Sequence, residues 1–354
     1  MRKISIEQAV PRMKLAKAVF SSEGRVLLTS GTDLKDTYLD RLKANGIPEL
    51  YIDDDMSSGI DSKDVINENT RLEAKTIVKN LMNSYSFYNS VNLDHIRDVI
   101  EKIIDDLLSN GDIIDNLAEI RSVDDYTFEH SVNVCVLSLI TGIGLGYNTP
   151  RLKDLGMGAI LHDIGKLRIP EYLLKKPSQL TVEEFEEIKK HTIYGYEILK
   201  KSKSVSMVSA FIAFGHHERF DGSGYPLQLK GENIHQCARI VAIADVFDAL
   251  TSDRVYRKKL GPHEVVEYIT SLGSHHFDRE IVNSFVKYIA LYPVGTGVLL
   301  NTKEKGLVVK VNSNFPTRPT VRIVYNKNNQ KIDEFSEIDL TEYSNIFIVD
   351  ICNF

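Results

Sequence analysis

The stretch HDIGK at residues 162–166 sets a histidine directly before an aspartate. Other potential metal ligands recur on both sides of it, about 30 residues apart, which is roughly the length of one helix hairpin. They are His130 upstream and His191, the pair His216–His217 and Asp245 downstream. A helical bundle returns the chain to the same place on each pass, so these groups are expected to meet at one point. The spacing therefore predicts a mainly α protein built around a metal site.

Imidazole and carboxylate groups are suitable ligands for Fe, Mn and Zn ions. Asp163 has two oxygens and is predicted to bridge two ions. The first ion would also take His130, His162 and Asp245, and the second would also take His191, His216 and His217. Any one of these histidines, alone, is more often structural than a ligand. Five groups at regular spacing favour the metal site, and the open positions left by seven ligands around two metals indicate a catalytic one.

The bulk composition is that of an ordinary soluble protein. With 354 residues, the chain is long enough for two or three domains. No apolar run is long enough to span a membrane, and the N-terminus has no signal-peptide core. Three widely separated cysteines form no disulfide framework, so we expect a cytoplasmic protein. A net charge of −6 argues against DNA as a partner, so an anionic substrate needs local cations or metals.

The pattern of apolar residues divides the chain into four segments. We expect a small N-terminal α+β unit over residues 1–58, with a helix near Tyr38–Ala44 capped by Gly46, and a helical linker over 59–118. The catalytic domain is expected at 119–291 and a small β appendage at 292–354. Four β runs are predicted in the appendage: Val298–Leu300, Leu307–Val311, Thr320–Tyr325 and Ile346–Val349.

Two local patterns add detail to the helical region. Apolar residues from Leu93 to Leu107 follow one helix face, which is either the seam of a homodimer or a surface packed on its neighbour. Thr181 begins a capping box that is expected to open the helix carrying His191.

The stretch HHERFDGSGYP at residues 216–226 is the second strong signal. Gly222 and Gly224 suit a rigid loop with positive φ angles, and Tyr225 would form a wall of the pocket beside the histidines. Taken alone, Gly-Tyr-Pro is more typical of a plain turn whose proline stops a helix. Its position directly after two predicted ligands is what favours a functional loop.

Together, these motifs and DVFDALTSDRVYR at 245–257 resemble the HD-GYP domain, a branch of the HD-domain metal-dependent phosphohydrolases. The resemblance covers about residues 120 to 290. It implies an all-helical domain with two or three metal ions, commonly iron or manganese, that hydrolyses cyclic di-GMP to pGpG or onward to GMP. It also implies that the seven residues named above are the metal ligands.

Further site residues follow from the same resemblance. Members with three metals carry an acid four residues before the first histidine, where this chain has Tyr126, so two divalent ions are expected. Lys166 matches a lysine that faces the scissile phosphate, and Arg254 and Arg257 match phosphate-clamping positions. A solvated basic helix end is the alternative for the arginines. Asp248, one turn after Asp245, is expected to support the site or the helix packing rather than bind metal.

Three functions are compatible with these residues. The leading one is a cyclic di-GMP phosphodiesterase in which Asp163 and Lys166 are catalytic and Lys166, Tyr225, Arg254 and Arg257 contact substrate. The second is a metal-bearing receptor or scaffold that binds the cyclic dinucleotide without turnover. The third is an HD phosphohydrolase that acts on another nucleotide, including a mixed cyclic dinucleotide.

Overall fold

The computed structural model describes residues 1–21, 26–61, 64–88, 93–109, 126–252, 260–312, 314–352 and 354. The chain forms two compact units. One contains Met1–Val65 and Ile289–Phe354, and the other contains Ile66–Gly111 and Thr127–Tyr288, so far as these ranges are described. The two ends of the chain therefore belong to the same unit.

The N-terminal part of the first unit is a small α+β fold, as predicted. Its elements are β1 (Arg2–Ser5), β2 (Lys14–Leu15), β3 (Val19–Phe20), β4 (Val26–Leu28), α1 (Asp36–Ala44) and β5 (Glu49–Asp53). Strand β5 pairs antiparallel with β1 and β2 on its two sides, and β3 pairs with β4. Gly46 follows α1 with φ +69°, which confirms its predicted capping position.

The second unit is helical. Its helices are α2 (Glu68–Tyr88), α3 (Asp94–Ser109), α4 (Tyr126–Gly144), α5 (Thr149–Ile160), α6 (Glu171–Leu174), α7 (Val182–Lys189), α8 (His191–Lys200), α9 (Met207–Gly215), α10 (Gln236–Thr251), α11 (Pro262–Ser271) and α12 (Arg279–Lys287). Helix α9 packs against α5, α8 and α10, and α3 packs against α2 and α5. None of the helices in the described ranges is both long and apolar enough to cross a membrane.

The apolar face of α3 is buried inside this unit. Ile96, Ile100, Ile103 and Leu107 are each at most 1% exposed, and α3 contacts α2 and α5. This face is interpreted from the sequence either as a homodimer seam or as a surface packed on its neighbour. The structure shows packing on neighbouring helices. The residues that would form a dimer seam are already covered by the same chain.

The helix that begins at Thr181 differs from the prediction. The capping box is present, because the Thr181 side chain accepts from the Glu184 amide and Glu184 accepts in return from the Thr181 amide. However, α7 ends at Lys189 and His191 begins the next helix, α8. The capping box thus opens the preceding helix, and His191 begins a separate one.

The C-terminal part of the first unit is a five-stranded antiparallel sheet. Its strands are β6 (Gly297–Leu300), β7 (Lys305–Lys310), β8 (Thr320–Tyr325), β9 (Lys331–Asp339) and β10 (Ile348–Ile351), in the spatial order β10-β6-β7-β8-β9. Sequence reasoning missed β9, whose sequence KIDEFSEID is charged and mostly exposed. It lies at the sheet edge, where polar residues are common and apolar alternation is weak. The predicted fold class, mainly α with small flanking units, is confirmed.

Residues from both ends of the chain build one apolar core in this unit. Ile60 packs with Val294, Leu307 and Val324. Arg322 of β8 donates to the backbone oxygen of Ser58 at 2.6 Å. The segment before residue 65 and the C-terminal sheet are therefore joined by both apolar burial and hydrogen bonds.

A close backbone approach in the helical unit requires glycine at position 165. Gly165 lies in the 3-10 turn Ile164–Arg168, which packs against α8. A Cβ atom at this position would lie 1.8 Å from the backbone oxygen of His191. Any larger residue would therefore push HDIGK away from the helix that begins with His191.

We predict that Gly165→Ala lowers the free energy of unfolding by about 3 kcal/mol, because the backbone must move to remove the clash. Urea unfolding of the metal-free protein measures this. Gly215→Ala is the matched control, since its Cβ would meet Ala238 at an ordinary 3.5 Å and helical glycine is itself unfavourable. Equal unfolding midpoints for Gly165→Ala and the wild type would contradict the prediction.

Candidate metal centre

Five segments of the helical unit bring the seven predicted ligands together. His130 lies on α4 and Asp245 on α10. The His162–Asp163 pair lies in the turn after α5, not within a helix. His191 begins α8, and the His216–His217 pair follows the end of α9. Helix ends supply most of the groups, which lets adjacent residues aim at one centre.

The ligand atoms form two groups. One consists of His130, His162 and Asp245, and the other of Asp163, His191, His216 and His217. Within each group the candidate ligand atoms lie within 4.8 Å of one another. These match the two sets that the sequence predicts around two ions, except that Asp163, which is predicted to belong to both, is grouped with the second set alone. The ligand roles themselves stay a prediction.

Asp163 lies between the two groups. Its Oδ2 is 3.3 Å from His162 Nε2, and its Oδ1 is 3.5 Å from His191 Nε2 and 3.9 Å from His216 Nε2. Each oxygen thus faces a different group, as a bridging carboxylate requires. Among the described residues, His162 Nε2 and Asp163 Oδ1 are buried polar atoms without a hydrogen-bond partner. Such atoms are costly unless something else binds them, so the site fits a cation.

Three histidines are oriented by the same type of hydrogen bond, from Nδ1 of the ring to a backbone oxygen three residues earlier. Nδ1 of His162 is 2.8 Å from the Ala159 oxygen, Nδ1 of His191 is 2.7 Å from the Ile188 oxygen, and Nδ1 of His216 is 3.0 Å from the Ala213 oxygen. A carbonyl oxygen only accepts hydrogen bonds, so each Nδ1 must carry the proton. Nε2 of each ring is then left as a lone-pair donor that points into the centre.

His130 is held by carboxylates. Its Nδ1 is 2.8 Å from Asp248 Oδ2, and its Nε2 is 3.2 Å from Asp245 Oδ1. Burial opposes protonation of His130, but the hydrogen bonds to Asp245 and Asp248 outweigh burial and raise the pKa of His130 to about 9. The position of Asp248 agrees with a supporting role, because its contact is to the ring nitrogen that faces away from the other ligands.

Five of the other candidate ligands, His191, His216, His217, Asp163 and Asp245, are already in the protonation state that metals need. Burial lowers the pKa of His191, His216 and His217, so these rings are neutral at pH 7. Burial would raise the pKa of Asp163, but Lys166 and His162 outweigh it and hold that pKa well below its ordinary value. The pKa of Asp245 is lowered in the same way by His130.

Lys166 and Tyr225 lie beside these groups. Lys166 Nζ is 2.5 Å from Asp163 Oδ2, and its side chain is 37% exposed, so the ammonium group is also open to solvent. The Tyr225 ring stacks on His217, with centroids 4.8 Å apart. Tyr225 therefore flanks the centre as the sequence predicts. Arg254 and Arg257 lie outside the described residues, as does the side chain of Tyr126.

The loop that carries Tyr225 is held by a residue that sequence reasoning missed. Glu218 is 4% exposed and accepts hydrogen bonds from the amides of Leu227 at 2.7 Å and Leu229 at 3.0 Å. Its place next to the histidine pair is the only sequence signal, and a glutamate there is not distinctive. The long-range partners that define its role are visible only in the fold.

The two glycines of this loop have different roles. Gly222 has φ +87°, as predicted. Gly224, which the structure describes, is not among the glycines with a positive φ. The prediction of a positive φ at this position is therefore wrong. Glycine is needed at 224 because a Cβ there would lie 2.3 Å from the Arg219 nitrogen and 2.5 Å from the His217 oxygen. A side chain at position 224 is therefore excluded by the nearby backbone atoms and not by a positive φ angle.

An exposed aromatic residue extends the wall formed by Tyr225. Phe185 of α7 is 44% exposed and meets the Tyr225 ring edge-on, with centroids 6.4 Å apart. Lys189 Nζ lies 5.0 Å from the Phe185 ring and 5.5 Å from the Tyr225 ring. The wall thus combines two rings, which can stack on a base, with Lys189, whose Nζ also pairs with Glu186 Oε1 at 2.6 Å.

The profiles of two known families match the chain. The HD domain profile matches residues 119–281, and that of a KOW domain associated with the HD domain matches residues 297–354. The first range contains all seven candidate ligands, together with Lys166 and Tyr225. The second contains the five-stranded sheet.

Curated relatives are named as phosphodiesterases. The cyclic di-GMP phosphodiesterase PA4108 of Pseudomonas aeruginosa is 29% identical over 335 residues, which is 86% of this chain and 79% of that protein. The 3′3′-cGAMP-specific phosphodiesterase 1 of Vibrio cholerae is 36% identical over 187 residues, 51% of this chain and 43% of its own length. Among solved structures, Bd1817, an HDG"Y"P protein from Bdellovibrio bacteriovorus, shares the fold with a TM-score of 0.51. It is 19% identical, and the match covers 80% of this chain and 97% of that one.

We predict that metal binding at pH 8 releases about one proton per chain, because His130 is the protonated ligand that an ion must displace. Below pH 9 the proton competes with the metal, so affinity should rise with pH by about tenfold per unit up to pH 9. Calorimetric titration with Mn²⁺ in buffers of different ionisation enthalpy counts the protons. His130→Ala should abolish the release, and zero release by the wild type would contradict the prediction.

Proposed function

Because the chain belongs to the HD-GYP branch of the HD domain family and is an HD-type phosphodiesterase, we propose that its substrate is cyclic di-GMP, which it hydrolyses to linear pGpG, to GMP, or to both. The observation that carries this proposal is Asp163, a buried carboxylate whose two oxygens face two separate ligand groups. The relative that matches 86% of this chain supports cyclic di-GMP in particular.

The proposal assigns the seven residues to two divalent ions, iron or manganese. His130, His162 and Asp245 would hold one ion, His191, His216 and His217 the other, and Asp163 both. When bound, such ions activate a water nucleophile and neutralise charge on the phosphate oxygens. Hydrogen bonds from Nδ1 fix the rings of His162, His191 and His216, so these three ligands are oriented before any ion or substrate binds.

Lys166 is proposed to act on the phosphodiester itself. Its ammonium group lies at the edge of the centre, bonded to Asp163 and partly exposed. A cation at this position can stabilise the negative charge that develops on the departing ribose 3′-oxygen and on the phosphate. The guanidinium groups of Arg254 and Arg257 are proposed to hold the non-bridging phosphate oxygens, for which their planar fork is suited.

The aromatic wall is proposed to bind a base. Tyr225 is stacked on His217, and Phe185 stands at its edge with Lys189 above both rings. Cyclic di-GMP offers flat guanine rings joined by two phosphodiesters, so a base on the wall would leave a phosphate near the centre. Stacking of this kind is worth about 1–3 kcal/mol per base.

A mixed cyclic dinucleotide is the second candidate substrate. The match to a 3′3′-cGAMP-specific enzyme over half of this chain favours it. Stacking alone distinguishes guanine from adenine poorly, because every base has a flat face. A receptor without turnover is the remaining alternative, and the full set of seven candidate ligands beside Lys166 argues against it.

Product analysis tests the proposed function. Protein loaded with Fe²⁺ or Mn²⁺ without oxygen is incubated with cyclic di-GMP, 3′3′-cGAMP and cyclic di-AMP, and the products are separated by chromatography. We expect the highest kcat/KM on cyclic di-GMP, with pGpG appearing before GMP. Faster turnover of 3′3′-cGAMP would favour the second candidate. Binding without turnover, with metals measured in the protein, would establish the receptor.

We predict that Lys166→Ala lowers kcat on cyclic di-GMP by about a hundredfold and changes KM little, because the lost charge acts mainly on the transition state. Lys175→Ala is the matched control, since it removes the same charge from an exposed surface pair with Glu171. Arg254→Ala should instead raise KM by roughly tenfold or more, the cost of one charge-assisted contact. A wild-type kcat for Lys166→Ala would refute its role in the reaction.

A further inference from the structure

A chain of buried hydrogen bonds leads from α2 to the metal centre. Arg71 Nη1 donates to Asn133 Oδ1 at 2.9 Å, and Asn133 Nδ2 donates to Asp248 Oδ1 at 3.0 Å. Asp248 Oδ2 then accepts from His130 Nδ1 at 2.8 Å. Arg71 is 7% exposed, His130 5%, and Asn133 and Asp248 1% each. We call these four residues the Arg71 relay.

The direction of every bond in the relay follows from chemistry. Arginine only donates, so the amide oxygen of Asn133 must face Arg71 and its NH₂ group must face Asp248. A carboxylate only accepts, so Asp248 takes one hydrogen from Asn133 and one from His130. His130 therefore presents its Nε2 to the side where Asp245 lies, 3.2 Å away. Arg71 thus determines which way the amide of Asn133 is turned and, through it, how Asp248 is held.

The buried charges make this arrangement specific. The guanidinium of Arg71 is charged at every accessible pH, and a buried charge is stable only when it is paired or hydrogen-bonded. Asp248 brings the opposite charge to the other end of Asn133. Removing Arg71 would let the amide turn and would leave its oxygen buried without this donor, so Asp248 would lose a fixed partner.

Arg71 lies outside the part of the chain that matches the HD domain profile. The HD domain profile begins at residue 119, whereas Arg71 lies in the first turns of α2. Helix α2 also contacts the turn Ile164–Arg168, which carries Lys166. The preceding helix therefore reaches the centre at two places.

We propose that Arg71 and Asn133 are positioning residues of the metal centre, so that α2 completes a site whose ligands all lie in the HD domain. The inference rests on the proposed metal-dependent function, because its effect is exerted on a metal ligand. It goes beyond that function in assigning part of the metal affinity to a helix that carries no ligand. Residues that orient a ligating histidine typically contribute about tenfold to a hundredfold in metal affinity.

Titration of the metal-free 354-residue protein with Mn²⁺ is the test, with free ion followed by electron paramagnetic resonance. We expect Arg71→Met to weaken the binding of one ion by about tenfold to a hundredfold and to leave the other nearly unchanged. The matched control is Glu73→Gln on the same helix, whose carboxylate pairs with Lys102 at the surface, 2.7 Å away. The control should bind both ions as the wild type does.

A second measurement separates positioning from general damage. If the relay acts through His130, Arg71→Met should have no further effect on Mn²⁺ affinity in a His130→Ala background. An equal loss in both backgrounds would overturn the inference. Should Arg71→Met fail to fold, Asn133→Ser is used instead, because serine is too short to join Arg71 to Asp248, and the same loss is expected.

The outcomes distinguish this inference from the proposed function. Wild-type affinity in Arg71→Met or Asn133→Ser, with two ions bound to the wild type, would overturn the relay and leave the phosphodiesterase intact. A wild-type protein that binds no Mn²⁺ or Fe²⁺ would overturn the metal centre itself and the relay with it.

Discussion

A carboxylate that is buried among imidazoles is the constraint on which the helical unit depends. Asp163 is 3% exposed, and the Lys166 ammonium group stabilises its negative charge at one oxygen. Nε2 of His162 and Nε2 of His191 lie beside its two oxygens, and each offers a lone pair rather than a proton. His191 comes from a different part of the chain from the turn that carries His162 and Lys166, so the bundle must bring these groups together around the buried carboxylate. The packing of α5, α8 and α9 is therefore also the assembly of the site.

Helix ends do most of this positioning. His162, His191 and His216 each use a backbone carbonyl three residues earlier to orient the ring. A carbonyl near a helix end lacks its usual partner four residues later in the chain, so it can accept a bond from a side chain. One local rule thus orients three rings without any dedicated side chain. His130, which lies within α4, is held by side chains instead, and His217 stacks on the ring of Tyr225.

The sequence was sufficient to predict which candidate metal ligands lie close together. It was insufficient to predict the residues that hold these ligands and the Tyr225 loop in place. The seven candidate ligands are recognisable because their chemistry and spacing are unusual together. Glu218, Arg71 and Asn133 carry no such signal, because their roles depend on partners far away in the chain. The break at Lys190 and the edge strand β9 were missed for a related reason. Each is decided by packing or pairing rather than by local preference.

The division of the chain has a consequence for its synthesis on the ribosome. The core around Ile60 needs Val294, Leu307 and Val324, which are made more than 200 residues later. The apolar cluster around Ile4, Leu15, Leu50 and Ile52 consists, among the described residues, of residues from the first 52 of the chain. Contacts so distant in sequence form late, whereas the helical unit relies on nearer neighbours. We therefore expect the N-terminal fold and the bundle to form as the chain emerges, and the unit that joins the two ends to close last.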